Sequence, residues 1–147
     1  MSNANFVPLG TTLEVRNHCL CLHLQQAARA VARRFDEALR PFGLTSGQFS
    51  LLMSLNRAEP PTMGTVAAFL AMDRTTLTAN LKPLARRCLV EITSDAADRR
   101  ARRLRLTPAG HAALLAALPA WRRQHAAIDR LLPDEGDGLR AQLRALA

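Results

Sequence analysis

The segment from Asp98 to Thr107 constrains the fold more than any other, because five of its ten residues are arginine. In its second half arginine alternates with leucine, so that Leu104 and Leu106 point to one side and the arginines to the other. This period of two is typical of a short strand with one buried face. The apolar residues before it supply a partner strand, and residues 94–98 supply a polar turn. The sequence therefore predicts an arginine-rich β-hairpin.

The charge of the chain indicates a polyanionic partner. The formal net charge is +8, and Lys82 is the only lysine among the 20 basic residues. The planar guanidinium of arginine forms paired hydrogen bonds with phosphate and guanine. An arginine-rich hairpin beside a helical reader can enter the narrow minor groove of A·T tracts. A solvated charge run is the alternative, but the alternation with leucine favours a hairpin that binds double-stranded DNA.

Composition and motifs exclude several other classes of protein. The 147 residues are enough for one domain with a real core. The chain lacks an apolar run of the ~18 residues that span a bilayer, a signal peptide, and the common catalytic motifs. Because the chain has three cysteines, any disulfide within it leaves one thiol unpaired, which fits a reducing cytoplasm. We therefore expect a soluble cytoplasmic protein that is not an enzyme, needs no cofactor and has no membrane partner.

Hydrophobic spacing and capping residues divide the chain into helices. Residues 1–12 lack periodicity and are predicted to form a mobile arm. Apolar residues then recur every three or four positions from Leu20 to Phe42, which predicts a long helix ending at Pro41 and Gly43. A capping box begins a second helix at Thr45.

Two short helices are predicted next, followed by the hairpin and a long helix. Thr62 and Asp73 cap the short helices, which have helix-turn-helix proportions. Thr107 caps the long helix, and Pro119 is expected to kink it without ending it. A polar loop over residues 133–138 and a short stripe of leucines close the chain. The terminal helices carry more apolar surface than a small reading head covers, so we expect a homodimer.

Several of these motifs, in order, resemble the MarR family of winged helix-turn-helix transcriptional regulators. The resemblance extends from about Leu20 to Leu132. It rests on the segment 45–48, on the turn and helix of residues 70–78, and on a hairpin similar to the family signature D-x-R-x5-L-T-x-x-G. The signature positions are Asp98, Arg100, Leu106, Thr107 and Gly110.

The resemblance implies a mainly α fold with a small β-hairpin wing, dimerising through its N- and C-terminal helices. The single MarR-like domain would comprise a winged-helix DNA-binding lobe at about 44–107 and dimerisation helices at about 13–42 and 108–147. The implied function is a repressor that a small aromatic or phenolic effector releases from an inverted-repeat operator.

Three positions depart from the family pattern. Ala71 and Cys88 stand where glycine is frequent, so strained turns are expected there. Pro83 lies inside the recognition helix, where it removes a hydrogen bond and is expected to bend the helix. The chain also contains no tyrosine.

A helical step of 100° selects the candidate DNA-contacting residues. Leu77, Leu81 and Leu84 mark the buried side of the recognition helix, and the short hydroxyls on the other side suit base edges and phosphates. We expect Asp98 to orient the guanidinium of Arg100 at the wing tip, and Arg103 to bind phosphate. The candidates are Arg74, Thr75, Thr76, Thr78, Ala79, Asn80, Lys82, Arg86, Asp98, Arg99, Arg100, Arg102 and Arg103.

The resemblance also implies an effector cleft between the first two helices and the helix that begins at Pro108. The predicted lining residues are His18, Cys21, Leu22, Gln25, Arg29, Phe49 and Met53. In the organic-hydroperoxide-sensing branch of the family, the position of Cys21 carries the reactive cysteine. Gln25 and Phe35 replace that branch's two tyrosines, which favours a packing role for Cys19 and Cys21; Cys88 is also expected to pack.

The sequence leaves three alternatives open. Cys21 is a candidate thiol sensor of organic hydroperoxides. Cysteine and histidine pairs in residues 18–23 have spacings that suit zinc, although simple helix packing is favoured and we predict no metal site. The charge also suits a nonspecific architectural nucleic-acid-binding protein. Comparing the affinities for a palindromic site and for scrambled DNA at one salt concentration would distinguish such a protein from a regulator.

Overall fold

The computed structural model describes residues 5–147 and consists of seven α-helices and one antiparallel hairpin within that range. The N-terminal half contains α1 (Leu9–His18), α2 (Leu20–Leu39), α3 (Ser46–Ser54), α4 (Met63–Phe69) and α5 (Arg74–Arg86). The hairpin strands β1 (Val90–Ser94) and β2 (Arg102–Leu106) follow, and then α6 (Pro108–Asp129) and α7 (Asp137–Arg144). No helix within the described range is long and apolar enough to cross a membrane.

The N-terminal arm differs from the prediction. Residues 9–12 belong to α1, so the prediction of an arm without structure is wrong for them, and residues 1–4 lie outside the described range. The helix α1 buries no residue in this chain, so it has no amphipathic pattern facing a core. Cys19 has an extended backbone conformation and separates α1 from α2. The Nδ1 atom of His23 lies 2.7 Å from the carbonyl oxygen of Cys19.

The predicted helix starts are confirmed at four positions. The Thr45 hydroxyl accepts from the Gln48 backbone, and the Gln48 side chain accepts in return from the Thr45 backbone. The side chains of Thr62, Asp73 and Thr107 each accept a hydrogen bond from a backbone amide in the first turn of the following helix. Each cap satisfies one amide that the helix itself leaves without a partner.

Strained turns occur at the two predicted positions. Ala71 has φ +52° and Cys88 has φ +58°, in the left-handed region that favours glycine. Ala71 makes the turn between α4 and α5, and Cys88 makes the turn between α5 and β1. Pro83 lies inside α5, and the helix continues to Arg86.

The hairpin covers the helix-turn-helix core with one face. The register pairs Val90 with Leu106 and Ile92 with Leu104. Leu104 is completely buried, as the alternation predicted. Thr62 pairs with Arg103 on the other edge, and the Leu104 amide donates to the Pro61 carbonyl at 2.9 Å. The segment before α4 therefore acts as a short third strand.

The C-terminal part contains one long helix and a tight turn. The helix α6 continues through Pro119, as predicted, and packs against α2 and α3. The predicted polar loop at 133–138 is shorter than expected, because α7 already begins at Asp137. Asp134 and Glu135 take positive φ in this turn. Arg140 holds the turn by donating to the Asp129 and Asp137 carboxylates and to the Glu135 carbonyl.

Candidate DNA interface

One side of α5 is buried and the other is open. Leu77, Leu81 and Leu84 are at most 1% exposed, so the predicted orientation of the helix is confirmed. The predicted DNA-contacting residues of this helix are exposed, and their contacts with DNA stay predictions. These residues are Arg74, Thr75, Thr76, Thr78, Ala79, Asn80, Lys82 and Arg86.

Five of these residues form a continuous shallow groove on α5. Its volume is about 340 Å³, and its lining contains two cations, two hydroxyls and one methyl group. Arginine and lysine suit guanine and phosphate, whereas the alanine methyl suits the methyl group of thymine. The lining residues are Arg74, Thr75, Thr78, Ala79 and Lys82.

Two of the threonine hydroxyls already have protein partners. Asp73 accepts hydrogen bonds from the Thr76 amide at 2.7 Å and the Thr76 hydroxyl at 2.9 Å. These hydrogen bonds, the amide's first, lower the pKa of the Asp73 carboxyl and keep it charged at the N-terminus of α5. The Thr78 hydroxyl donates to the Arg74 carbonyl at 2.8 Å. Thr75 therefore keeps the hydroxyl that is most available for DNA.

In the hairpin, Arg103 fastens the wing to the rest of the fold. Its guanidinium donates to the Pro60 carbonyl at 2.7 Å and forms an ion pair with Asp95 at 3.0 Å. The pKa of the Asp95 carboxyl is lowered, first by the Ala97 amide and then by Arg103. The donors of Arg103 therefore hold the wing in place, and its contact with a DNA phosphate stays a prediction.

At the wing tip, Asp98 shapes the turn. Its carboxylate accepts from the Arg100 backbone amide at 3.0 Å, and its carbonyl accepts from the Ala101 amide at 3.0 Å. Within residues 5–147 the side chains of Asp98 and Arg100 form no ion pair, so the expected orientation of the guanidinium by Asp98 is wrong. Arg99 and Arg100 are exposed, and Arg102 donates to the Ser94 hydroxyl at 2.8 Å.

The structure does not bring the predicted effector residues into one cleft. His18 lies at the end of α1, and most of the predicted set lies along α2, namely Cys21, Leu22, Gln25 and Arg29. Phe49 and Met53 instead line a groove of about 320 Å³ whose lining includes no residue of α1 or α2. Its remaining lining residues are Ser50, Ser54, Phe69 and Trp121.

Aromatic rings form the floor of this groove, which is called the aromatic groove below. The Trp121 ring stacks on Phe49 at 5.8 Å, on Phe35 at 6.3 Å and on His125 at 4.7 Å between centroids. Phe69 is 67% exposed, and the Arg57 guanidinium lies 5.7 Å from its ring centroid. Trp121 and Phe69 were not predicted as site residues, because both fit the ordinary apolar stripes of their helices.

The cysteines are more accessible than expected. Cys21 and Cys88 are exposed and Cys19 is half-buried, so the predicted packing of Cys21 and Cys88 is wrong for the single chain. The Gln25 side-chain amide donates to the Cys21 sulfur at 3.4 Å. No group of three or more potential metal-binding side chains occurs within residues 5–147.

Comparisons with known proteins place this geometry among transcriptional regulators. The sequence profile of the MarR family matches residues 42–101. The transcriptional regulator MosR of M. tuberculosis, in complex with DNA, is 38% identical with a TM-score of 0.81, over 88% of this chain and 93% of that one.

Two further relatives differ in how much of the chain they match. CouR of Rhodococcus jostii RHA1, bound to p-coumaroyl-CoA, is 26% identical with a TM-score of 0.73, over 84% of this chain and 87% of that one. The uncharacterized HTH-type regulator YwoH of Bacillus subtilis is 35% identical over 68 residues, which are 46% of this chain and half of YwoH. The exposed α5, the arginine-bearing wing and these similarities show that the chain belongs to the MarR family of winged helix-turn-helix, DNA-binding transcriptional regulators.

Proposed function

We propose that the chain is a homodimeric repressor that binds an inverted repeat and leaves it when a small aromatic ligand binds. In this proposal residues of about 44–107 form the DNA-binding lobe, and about 13–42 and 108–147 form the pairing helices. The observation that carries the proposal is the combination of an exposed polar face on α5 with a free arginine at the wing tip. Two such units related by a two-fold axis suit a palindromic site.

The exposed apolar residues of the terminal helices support the dimer. Leu9, Leu13, Val15 and Leu20 are between 41% and 73% exposed in the N-terminal part of the chain. In the C-terminal part, Leu131, Leu139, Leu143 and Leu146 are between 38% and 66% exposed. Apolar patches of this kind mark interfaces, and a second copy of the chain brings the same patches to its partner.

In the DNA complex, we assign the two elements different roles. The groove of α5 contacts base edges and phosphates in the major groove through lining residues that include Thr75, Ala79 and Lys82. Arg100 enters the minor groove, and Arg99 and Arg102 contact phosphates beside it. Arg74, Arg86 and Asn80 flank the recognition surface.

Replacing Arg100 with alanine is expected to weaken operator binding by about 1–3 kcal/mol, because one groove contact is lost. The residue is exposed, so thermal stability and the dimer should not change. A fluorescence anisotropy titration at fixed physiological salt measures the effect. The matched control is Arg122→Ala, which removes an exposed arginine from α6. Equal affinities of the Arg100 variant and the parent would exclude the assignment of Arg100 to a groove.

The same titration separates a regulator from a nonspecific architectural protein. A regulator should prefer the palindromic site over scrambled DNA of the same length by about a thousandfold or more. Equal affinities for both duplexes would support the architectural alternative, in which the net charge alone binds the phosphates.

The aromatic groove supports the effector part of the proposal. It offers aromatic surface from Phe49, Phe69 and Trp121, hydroxyls from Ser50 and Ser54, and a nearby cation. Ligand pockets commonly combine apolar walls with a few polar groups. We therefore propose an aromatic or phenolic ligand here. The p-coumaroyl-CoA bound to the related CouR also carries a phenolic ring.

Filling the aromatic groove should make the repressor insensitive to its effector. Ser50 is exposed and lines the groove, so Ser50→Trp adds volume there while the core keeps its packing. We expect Ser50→Trp to bind DNA like the parent and to stay bound when aromatic acids such as salicylate or p-coumarate release the parent. Ser50→Ala serves as the control for the lost hydroxyl. Equal release of Ser50→Trp and parent would place the effector elsewhere.

A thiol sensor is the second candidate, and one observation favours it. The exposed Cys21 sulfur accepts a hydrogen bond from Gln25, which replaces one tyrosine donor of the hydroperoxide-sensing branch. Peroxide can oxidise an accessible thiol of this kind to a sulfenic acid, and the Gln25 amide supplies one hydrogen-bond donor to the sulfur. The second tyrosine position carries Phe35, which has no donor. The aromatic effector therefore remains the preferred signal.

The variant Cys21→Ser distinguishes the two signals. If Cys21 is the sensor, cumene hydroperoxide releases the parent from DNA and does not release the variant, because serine cannot form a sulfenic acid. If the effector is an aromatic ligand, we expect both proteins to stay on DNA in hydroperoxide and to dissociate in that ligand. Cys88→Ser controls for oxidation at another exposed cysteine. Reversible release that requires Cys21 alone would make the protein a thiol sensor.

A further inference from the structure

A second groove lies where the end of α3, the loop that follows it, the end of β2 and the start of α6 meet. Its volume is about 510 Å³. It is called the lateral groove below. Arg57, Arg105 and His111 line it, and each belongs to a different structural element. The lateral groove shares no lining residue with the aromatic groove or with the α5 groove.

The nitrogen donors of the lateral groove are held in place but retain free hydrogen-bonding capacity. Arg57 uses Nε to donate to the Ser54 carbonyl at 3.2 Å, and its guanidinium carbon lies over the Phe69 ring, 5.7 Å from the centroid. Its two terminal nitrogens have no acceptor within residues 5–147. Arg105 pairs with Glu91 through one terminal nitrogen, and the His111 ring has no hydrogen-bond partner within the same range.

The apolar walls of the lateral groove are held by the surrounding fold. Leu55 and Leu106 are only 3% and 7% exposed and form its floor. Pro60 is fixed by the hydrogen bond from Arg103 to its carbonyl, and Pro108 is the first residue of α6. A site whose walls are already ordered loses little conformational entropy when a ligand binds.

We propose that the lateral groove binds a small organic anion, in which a carboxylate or phosphate is joined to an apolar ring or chain. The anion would bind to the free terminal nitrogens of Arg57, with Arg105 and His111 beside them. Arginine forms paired, charge-assisted hydrogen bonds with both types of anion. The apolar part would cover the leucine floor, which a bare phosphate ion or a convex DNA backbone would leave uncovered.

The lateral groove also touches the base of the wing. Its lining residues Arg105 and Leu106 end β2, and Pro60 is fastened by Arg103. An anion bound there would bridge α3, the wing and α6. The site therefore differs from the proposed effector site in its lining residues and in the elements that it connects.

Calorimetric titration of the full chain with phenyl phosphate, benzoate and inorganic phosphate tests the proposal. We expect at least one organic anion to bind with a stoichiometry of one per chain and about tenfold more tightly than inorganic phosphate. Arg105→Gln and His111→Ala should each weaken that binding several-fold. Arg122→Gln, which removes an equal charge from an exposed site on α6, should not. A comparison of phenyl phosphate with benzoate identifies the preferred anionic group.

Amide chemical shifts during the same titration locate the ligand. Shifts concentrated at residues 56–58 and 109–111 would support the lateral groove. Shifts concentrated at Phe49, Met53 and Phe69 would overturn the proposal, because the anion would then occupy the aromatic groove. Equal weakening by Arg105→Gln and Arg122→Gln, or no binding preference over inorganic phosphate, would also overturn it, because net charge alone would then explain the binding. Thermal melts of the variants confirm that each is folded.

Discussion

Replacing Gly110 with alanine is expected to lower the free energy of unfolding by about 3 kcal/mol, at the upper end of the range for overpacking. A Cβ atom at this position would lie 2.2 Å from the Leu89 carbonyl oxygen and 3.1 Å from a methyl carbon of Leu106. The nearer neighbour is backbone, so it cannot rotate away.

The surrounding hydrogen bonds explain why the backbone at Gly110 cannot shift cheaply. The Thr107 hydroxyl donates to the Cys88 carbonyl at 2.6 Å and accepts from the Gly110 amide at 3.0 Å. The Thr107 amide donates to the Leu89 carbonyl. These bonds join the end of α5 to the start of α6, so moving α6 outward would break the joint.

Chemical denaturation of Gly110→Ala and of Gly47→Ala measures the effect. A Cβ at Gly47 meets nothing within 4 Å, and the residue lies in the first turn of α3, so that variant should be neutral or slightly stabilised. We also expect Gly110→Ala to weaken DNA binding, because the wing begins at the same joint. Equal unfolding free energies of the two variants would show that α6 can move away from Leu89 at little cost.

Replacing Leu143 with aspartate is expected to abolish the proposed dimer and weaken operator binding about a hundredfold or more. A monomer contacts one half-site, so it loses the gain that two linked half-sites provide. Leu143 and Leu139 lie one turn apart on α7 and are 38% and 41% exposed. A buried, unpaired carboxylate at this position would be costly in an apolar interface.

Sedimentation velocity and anisotropy titrations of Leu143→Asp provide the two measurements. Ala141→Asp is the control. Ala141 is exposed and lies about 200° around the helix from Leu139, so this variant introduces the same charge on another side of α7. It should remain dimeric with parental affinity. A dimeric Leu143→Asp with parental affinity would mean that α7 lies outside the interface, and the remaining exposed leucines would then need another partner.

Local signals in the sequence predict most of the fold. Caps at Thr45, Thr62, Asp73 and Thr107 depend on side chains within three residues, so spacing alone identifies them. Alternation likewise identifies the hairpin and its buried leucines. Periodicity did not predict α1, which the family resemblance indicated only from about residue 13, because this helix buries nothing within its own chain and carries no pattern that a core imposes.

The site was harder to predict, because its details depend on contacts that are distant in sequence. Arg103 pairs with the Pro60 carbonyl, 43 residues away, and nothing in the local pattern distinguishes it from the other wing arginines. The aromatic groove combines α3, α4 and α6, whereas helical periodicity describes each helix alone. The exposed residues of α5 were predictable because a single helix determines which side is buried.

The fastening of Arg103 also bears on how salt should affect DNA binding. A positive charge that neutralises a DNA phosphate releases a condensed counterion. Each such charge adds ~0.9 to the magnitude of the slope of log affinity against log salt. Arg103 and Arg105 already face Asp95 and Glu91, so their charges are compensated before DNA arrives. The wing's contribution to the slope of log affinity against log salt should therefore depend on its arginines that have no acidic partner. The net charge of the chain overstates the number of counterions that DNA releases on binding.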